Sequence, residues 1–97
     1  MTEVKVVSAF EEKDLGSLKL ADQNQAKEML KKARDLFEDK SKKIDVPTRM
    51  QILKKTCDLI RENRESLALQ AAQEGGKPLI DSLVEIDRAA ELSLIHI

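Results

Sequence analysis

With 97 residues, 17 Lys and Arg against 18 Asp and Glu, and a net charge of −1, the chain offers no one-sided basic surface for a phosphate backbone. Aromatic residues make up 2% of it, so stacking platforms for single-stranded bases are lacking too. One Cys and one His exclude an internal disulfide and a zinc site.

No apolar run nears the roughly 18 residues needed to span a bilayer, and Met1-Thr2-Glu3-Val4-Lys5 lacks the charged-then-apolar plan of a secretory signal. The expectation is a soluble cytoplasmic chain with no nucleic-acid or membrane partner. Its core should be thin, since a chain of this size buries only roughly 60–65% of its unfolded surface. Leu, Ile, Val, Met and Ala must supply that core, a composition suited to helix packing.

Val4, Val6 and Val7 predict a first strand, and an acidic turn follows from Glu11 to Asp14. Gly16 then punctuates, and Leu18-Lys19-Leu20 alternates as a second strand would, giving an antiparallel hairpin. Asp22 or Asn24 can cap the next element, because a short side-chain oxygen accepts from the orphan N–H groups of a first turn. Ala26, Met29, Leu30, Ala33 and Phe37 recur there at helical spacing. Residues 39–46 break the pattern and read as a solvated loop, their lysines flanked by acids.

Pro47 stands in the first turn of a second helix, where its missing N–H costs nothing. Met50, Leu53, Cys57 and Ile60 form its apolar stripe, widened by Ile52 and Leu59. Asn63 signals a third start, with Leu67, Ala68, Ala71 and Ala72 following, and Gly75-Gly76 supplies the left-handed stop. Pro78 opens a fourth helix whose apolar set is Leu79, Ile80, Leu83, Val84, Ile86 and Ala90. The chain is therefore expected to be mostly α, one hairpin and then about four helices.

Four blocks within that frame carry a resemblance. They are Arg49-x-x-Ile52-Leu53-Lys54-Lys55, then Leu59-Ile60-x-Glu62-Asn63-Arg64-x-x-Leu67-Ala68, then Glu74-Gly75-Gly76-Lys77-Pro78-Leu79, then Glu85-Ile86-Asp87-Arg88-Ala89. In this order and spacing they resemble the amino-terminal region of the NAD(P)-dependent aldehyde dehydrogenase superfamily, and the likeness extends over nearly the whole chain to Glu91.

The resemblance implies an α/β parent fold, with residues 1–91 an incomplete amino-terminal part of its cofactor-binding domain. It implies an oxidoreductase that converts a small-molecule aldehyde to a carboxylic acid with NAD or NADP, as a homodimer or homotetramer. In such enzymes a cysteine thiolate attacks the aldehyde carbon, and a glutamate activates the water that hydrolyses the thioester. Those residues, the oxyanion-hole asparagine and the main cofactor contacts lie far downstream and have no counterpart here. The expected catalytic, cofactor-binding and metal-ligating sets are therefore all none, and the fragment alone is expected to be inactive.

The residues most open to a chemical reading each have a plainer one. Cys57 shares the apolar stripe of Leu53 and Ile60, whereas a reactive thiolate needs partial exposure and an electropositive partner. Gly75-Gly76-Lys77 follows a helix and precedes Pro78, so it is a helix connector and not a phosphate loop. Lys77 could meet the carbonyls that end the preceding helix. Glu74, Glu85 and Asp87 read as a solvated face, with Glu85 and Arg88 three residues apart and able to pair. His96 has no partner residues near it in sequence.

After Glu91 the chain reads Leu92-Ser93-Leu94-Ile95-His96-Ile97. Those residues can be encoded by the transposon end-sequence used in sequencing-library adapters, so 92–97 are expected to be translated adapter; the plainer alternative is that six apolar-leaning residues simply finish the fourth helix. The alternative reading of the whole chain is a stand-alone small helical protein that binds partners through an apolar groove.

Overall fold

A computed structural model describes residues 2–95. Among them β1 (Glu3–Val7), β2 (Asp14–Lys19), α1 (Gln23–Glu38), α2 (Val46–Glu62), α3 (Arg64–Gly75) and α4 (Leu79–Ile95) follow in order, with a short 3-10 turn at Lys40–Lys42. The hairpin and four helices agree with the pattern of the sequence.

β1 and β2 pair antiparallel, Glu3 opposite Lys19 and Val4 opposite Leu18. The expected boundary at Gly16 is displaced. Gly16 lies inside β2 opposite Val6, next to an irregularity of register between Val6 and Val7. Its φ of 149° and the bond from its N–H to Asp14 Oδ1 (3.0 Å) show why glycine is needed there: the strand must bend around an extra residue. β2 therefore begins at Asp14, in what the sequence marks as the turn, and the true tip is Ser8–Lys13. Ser8 N–H donates to Lys13 O (2.8 Å), and Lys13 N–H donates to Ser8 Oγ (3.0 Å).

Of the two cap candidates for α1, Asp22 is the cap. Its Oδ1 accepts from Gln25 N–H (2.8 Å), and Gln25 Oε1 accepts from Asp22 N–H (3.0 Å), a reciprocal capping box. Asp39 then breaks the chain into the 3-10 turn by accepting from Ser41 N–H (3.0 Å) and Ser41 Oγ–H (2.6 Å). Residues 39–46 are thus a loop with one tight turn in it. α2 is capped by Asp45, which accepts from Thr48 N–H (2.8 Å), with Pro47 in the first turn.

Asn63 departs from its expected role. Its side chain does not cap α3: Nδ2 donates back to Leu59 O (2.8 Å) in the last turn of α2, and α3 begins without a side-chain cap. The residue closes α2, and its carbonyl opens α3 by accepting from Leu67 N–H (2.9 Å).

α4 packs against both α2 and α3, which barely touch each other. The buried side chains are all small: Cys57 from α2, Ala68 from α3, Ser82 and Ala90 from α4. Small groups at helix crossings let backbones approach closely, and Leu53, Ile60, Leu83 and Ile86 fill the half-buried positions around them. Ser82 Oγ is buried without a hydrogen-bond partner.

α1 is exposed along its whole length, Met29 at 66%, Leu30 at 72% and Phe37 at 76%. Its apolar stripe forms as the spacing predicts, but it builds no extended interface with α2, α3 or α4. The radius of gyration is 17.6 Å, where a compact chain of this length would have about 13 Å. The accessible surface is 8393 Å², against about 5,600 Å² for a compact monomer of this mass.

Candidate functional site

Cys57 sits on the face of α2 that α4 covers and is 1% exposed. Surrounded by Leu53 and Ile60 on its own helix, it behaves as a small apolar group. A thiol so placed cannot reach an external electrophile without the helix layer opening.

Gly75 ends α3, and Gly76 follows with φ 67° and ψ 22°, donating its N–H to Ala72 O (2.9 Å). This is the left-handed stop expected of the pair. The space above Gly76 is filled from elsewhere in the chain. A Cβ on Gly76 would stand 2.8 Å from Ala9 Cβ and 3.0 Å from Phe10 Cε2, both at the hairpin tip. Ala9 N–H also donates to Gln73 O (3.2 Å), one of the carbonyls that the end of α3 leaves without a helical partner. A phosphate cradle needs free N–H groups and an open approach; here the N–H is spent and the approach is closed. Gly76 is therefore not part of a phosphate cradle.

Lys77 and Glu85 are brought together, but not as the sequence pairs them. Lys77 Nζ donates to Glu85 Oε1 (2.7 Å), so the lysine spans the α3–α4 turn instead of meeting the carbonyls of α3. Glu85 is thereby turned toward the turn and away from the i, i+3 pairing with Arg88. Its carboxylate holds the Lys77 ammonium pKa above the ordinary lysine value, by the hydrogen bond first and by charge second.

Asp87 faces Arg64, the first residue of α3. Arg64 Nε donates to Oδ1 (2.6 Å) and Nη2 to Oδ2 (3.0 Å), a fork-to-fork geometry on half-exposed side chains. The guanidinium hydrogen bond holds the Asp87 carboxyl below the usual aspartate value, and the same bond raises Arg64. This pair is the arrangement that sequence reasoning missed. A separation of 23 residues hides it from any helical-spacing rule. Asp45 is also lowered, by its hydrogen bonds to Thr48, as expected of a cap.

Glu74 is exposed and accepts from Gln70 Nε2 (3.0 Å), within one helix face. His96 lies outside the described residues. Among those described, no three of His, Cys, Asp and Glu gather closely enough to hold a metal ion. An open groove lies between Lys19 and Leu20, at the end of β2, and Glu28, Met29 and Lys32 of α1. It carries mixed charge and no buried polar group. The contacts that these residues make are helix caps, ion pairs and packing.

Comparison with known proteins gives two findings. The model of the aldehyde dehydrogenase family matches residues 1–95. The solved structure of Gox0499, described for its cofactor and substrate selection, superposes with a TM-score of 0.79 at 28% identity. That match covers 94% of this chain and 20% of the Gox0499 chain, so the present chain spans about a fifth of the length of that relative. No curated protein matches.

Proposed function

The chain belongs to the aldehyde dehydrogenase family, and from that premise we propose that it is the amino-terminal scaffold of an enzyme that oxidises aldehydes to carboxylic acids with NAD or NADP. The family match over residues 1–95 carries this reading. Residues 1–91 are the opening part of the cofactor-binding domain, and the reading of 92–97 as translated adapter stands beside a family match and a helix α4 that both run on to residue 95. The parent works in the cytoplasm as a dimer or tetramer on a small-molecule aldehyde.

By itself the chain is inactive, with its helices serving packing. The side chains argue for this. The one cysteine is enclosed, the space above Gly76 is filled by the hairpin tip, Arg64–Asp87 ties α3 to α4, and Lys77–Glu85 ties the α3–α4 turn to α4. Catalytic and cofactor-binding residues lie beyond this stretch.

The test has two arms. The purified chain, given aldehydes with NAD or NADP, is expected to produce no reduced nicotinamide; aldehyde-dependent turnover would overturn the inactive reading. The full reading frame at the source locus, read by a transposase-free method and expressed whole, is expected to supply that turnover. A native codon run for residues 92–97, ending in a natural stop, would favour the second reading, a small helical interaction module. The uncovered apolar stripe of α1 is the observation that supports that second reading.

A further inference from the structure

We propose that the β-hairpin is a strap, latched to the helical layer at Gly76 and able to leave it without disturbing α2–α4. Neither strand builds an extended interface with a helix, and β1 and β2 are exposed along most of their length. What ties the hairpin down is its tip. There Ala9 N–H satisfies Gln73 O (3.2 Å), so a residue of the hairpin caps the carboxyl end of a helix 64 positions further along the chain.

The approach is close enough that only glycine fits beneath it: a Cβ at Gly76 would stand 2.8 Å from Ala9 Cβ. Gly75 is different, since a Cβ there would meet nothing nearer than Lys77 Cγ at 4.0 Å. Gly76 thus has two separable tasks. Its φ of 67° ends α3, and its missing side chain seats the strap. Because β2 leads through Leu20, Ala21 and Asp22 into α1, the same latch sets where α1 lies relative to the other helices.

The two tasks come apart in substitution. Gly76→Asn retains the left-handed end, which asparagine tolerates, but adds the Cβ. Amide exchange of the full chain, followed residue by residue by NMR, is the measurement. The expected result is exchange of the Ala9 amide about tenfold faster, the scale of one lost hydrogen bond and a tight contact. Amides from Leu53 to Ile60 keep their rates, and adding Ala9→Gly restores part of the protection by removing the opposing methyl. Unchanged Ala9 protection in Gly76→Asn, or equal loss throughout α2–α4, overturns the latch.

Should the variant fail to fold, the unmodified chain in sub-denaturing guanidinium decides. Ala9 is expected to open with a smaller denaturant dependence than Leu53 to Ile60. Opening of Ala9 only with global unfolding would refute a strap that lifts on its own.

Discussion

Arg64 at the start of α3 and Asp87 in the middle of α4 are joined by two parallel hydrogen bonds, Nε to Oδ1 at 2.6 Å and Nη2 to Oδ2 at 3.0 Å. The two ends of this bridge come from helices that pack on each other, and the side chains fully buried in them, Ala68, Ser82 and Ala90, are small. Small contacts leave freedom to slide; a planar fork restrains it. Arg64→Lys retains the charge but supplies a single point donor, so it is expected to lower the melting temperature almost as far as Arg64→Ala. The double variant Arg64→Ala with Asp87→Ala should fall short of the sum of the single losses, as a thermal-denaturation cycle would read. Additive losses would mean that the pair is not coupled.

That same bridge gives stability a defined dependence on acid. The folded carboxyl of Asp87 is held below the value it has in the unfolded chain, so the unfolded state takes up its proton first as pH falls. Its contribution is fully present above the ordinary aspartate value of about 4 and is lost as pH falls through the folded value. Lys77 runs the opposite way. Raised by Glu85, its contribution is present below the ordinary lysine range and is lost as pH rises through the raised value. Denaturant midpoints measured against pH should show the acid loss shrink in Asp87→Asn and the alkaline loss shrink in Lys77→Met.

Ser82 places a hydroxyl in the helix interface with no partner. Removing both the group and its unmet bond should help. Ser82→Ala is expected to stabilise the chain by about 1 kcal/mol in chemical denaturation, the usual scale for relieving an unsatisfied buried donor. A destabilised variant would show that the hydroxyl finds a partner in solution.

α1 depends on local terms, since no helix covers it. A helix of 16 residues is marginal in water even with good propensity, and here the capping box and the Arg34–Glu38 pair (2.7 Å) are its supports. Asp22→Ala should weaken this element by about 1 kcal/mol. Circular dichroism would lose the helicity of α1 while the exchange protection of α2–α4 stays unchanged.

Cys57 should resist thiol reagents in the folded chain and react only as the helix layer opens. Labelling rates that track unfolding across a denaturant series would agree with its burial. Fast labelling in water would mean that α4 leaves α2 readily. Cys57→Ser should cost about 1–3 kcal/mol, because it buries a hydroxyl where a thiol sat without demand.

The four helices were legible because a 3.6-residue period, an Asp-x-x-Gln cap and a glycine stop are local signals, written within one turn of where they act. Asp22 and Gln25 can be found from their spacing, and so can Pro47 and Gly76. What was hidden is long-range. Nothing near Ala9 announces that its N–H will end α3, and nothing near Arg64 points to Asp87 instead of Glu62 or Glu65. Gly16 misled because a glycine between two β-branched patches reads as a turn, while a bulge inside a strand needs the same residue. Of the candidate site, the enclosure of Cys57 could be read from its place on the stripe of Leu53 and Ile60. The filling of the Gly76 seat could not, since it depends on where the hairpin lands.

That α4 alone joins α2 to α3 has a consequence for how the chain folds during synthesis. The two neighbours in sequence share almost no surface, so emerging from the ribosome together gives them nothing to close on. The layer can form only after the last of the four helices has been made, and until then Leu53, Cys57 and Ile60 stand open to solvent. A stall anywhere between Gly76 and Ala90 would leave a nascent chain with two unsealed apolar stripes, the kind of surface that holdase chaperones bind.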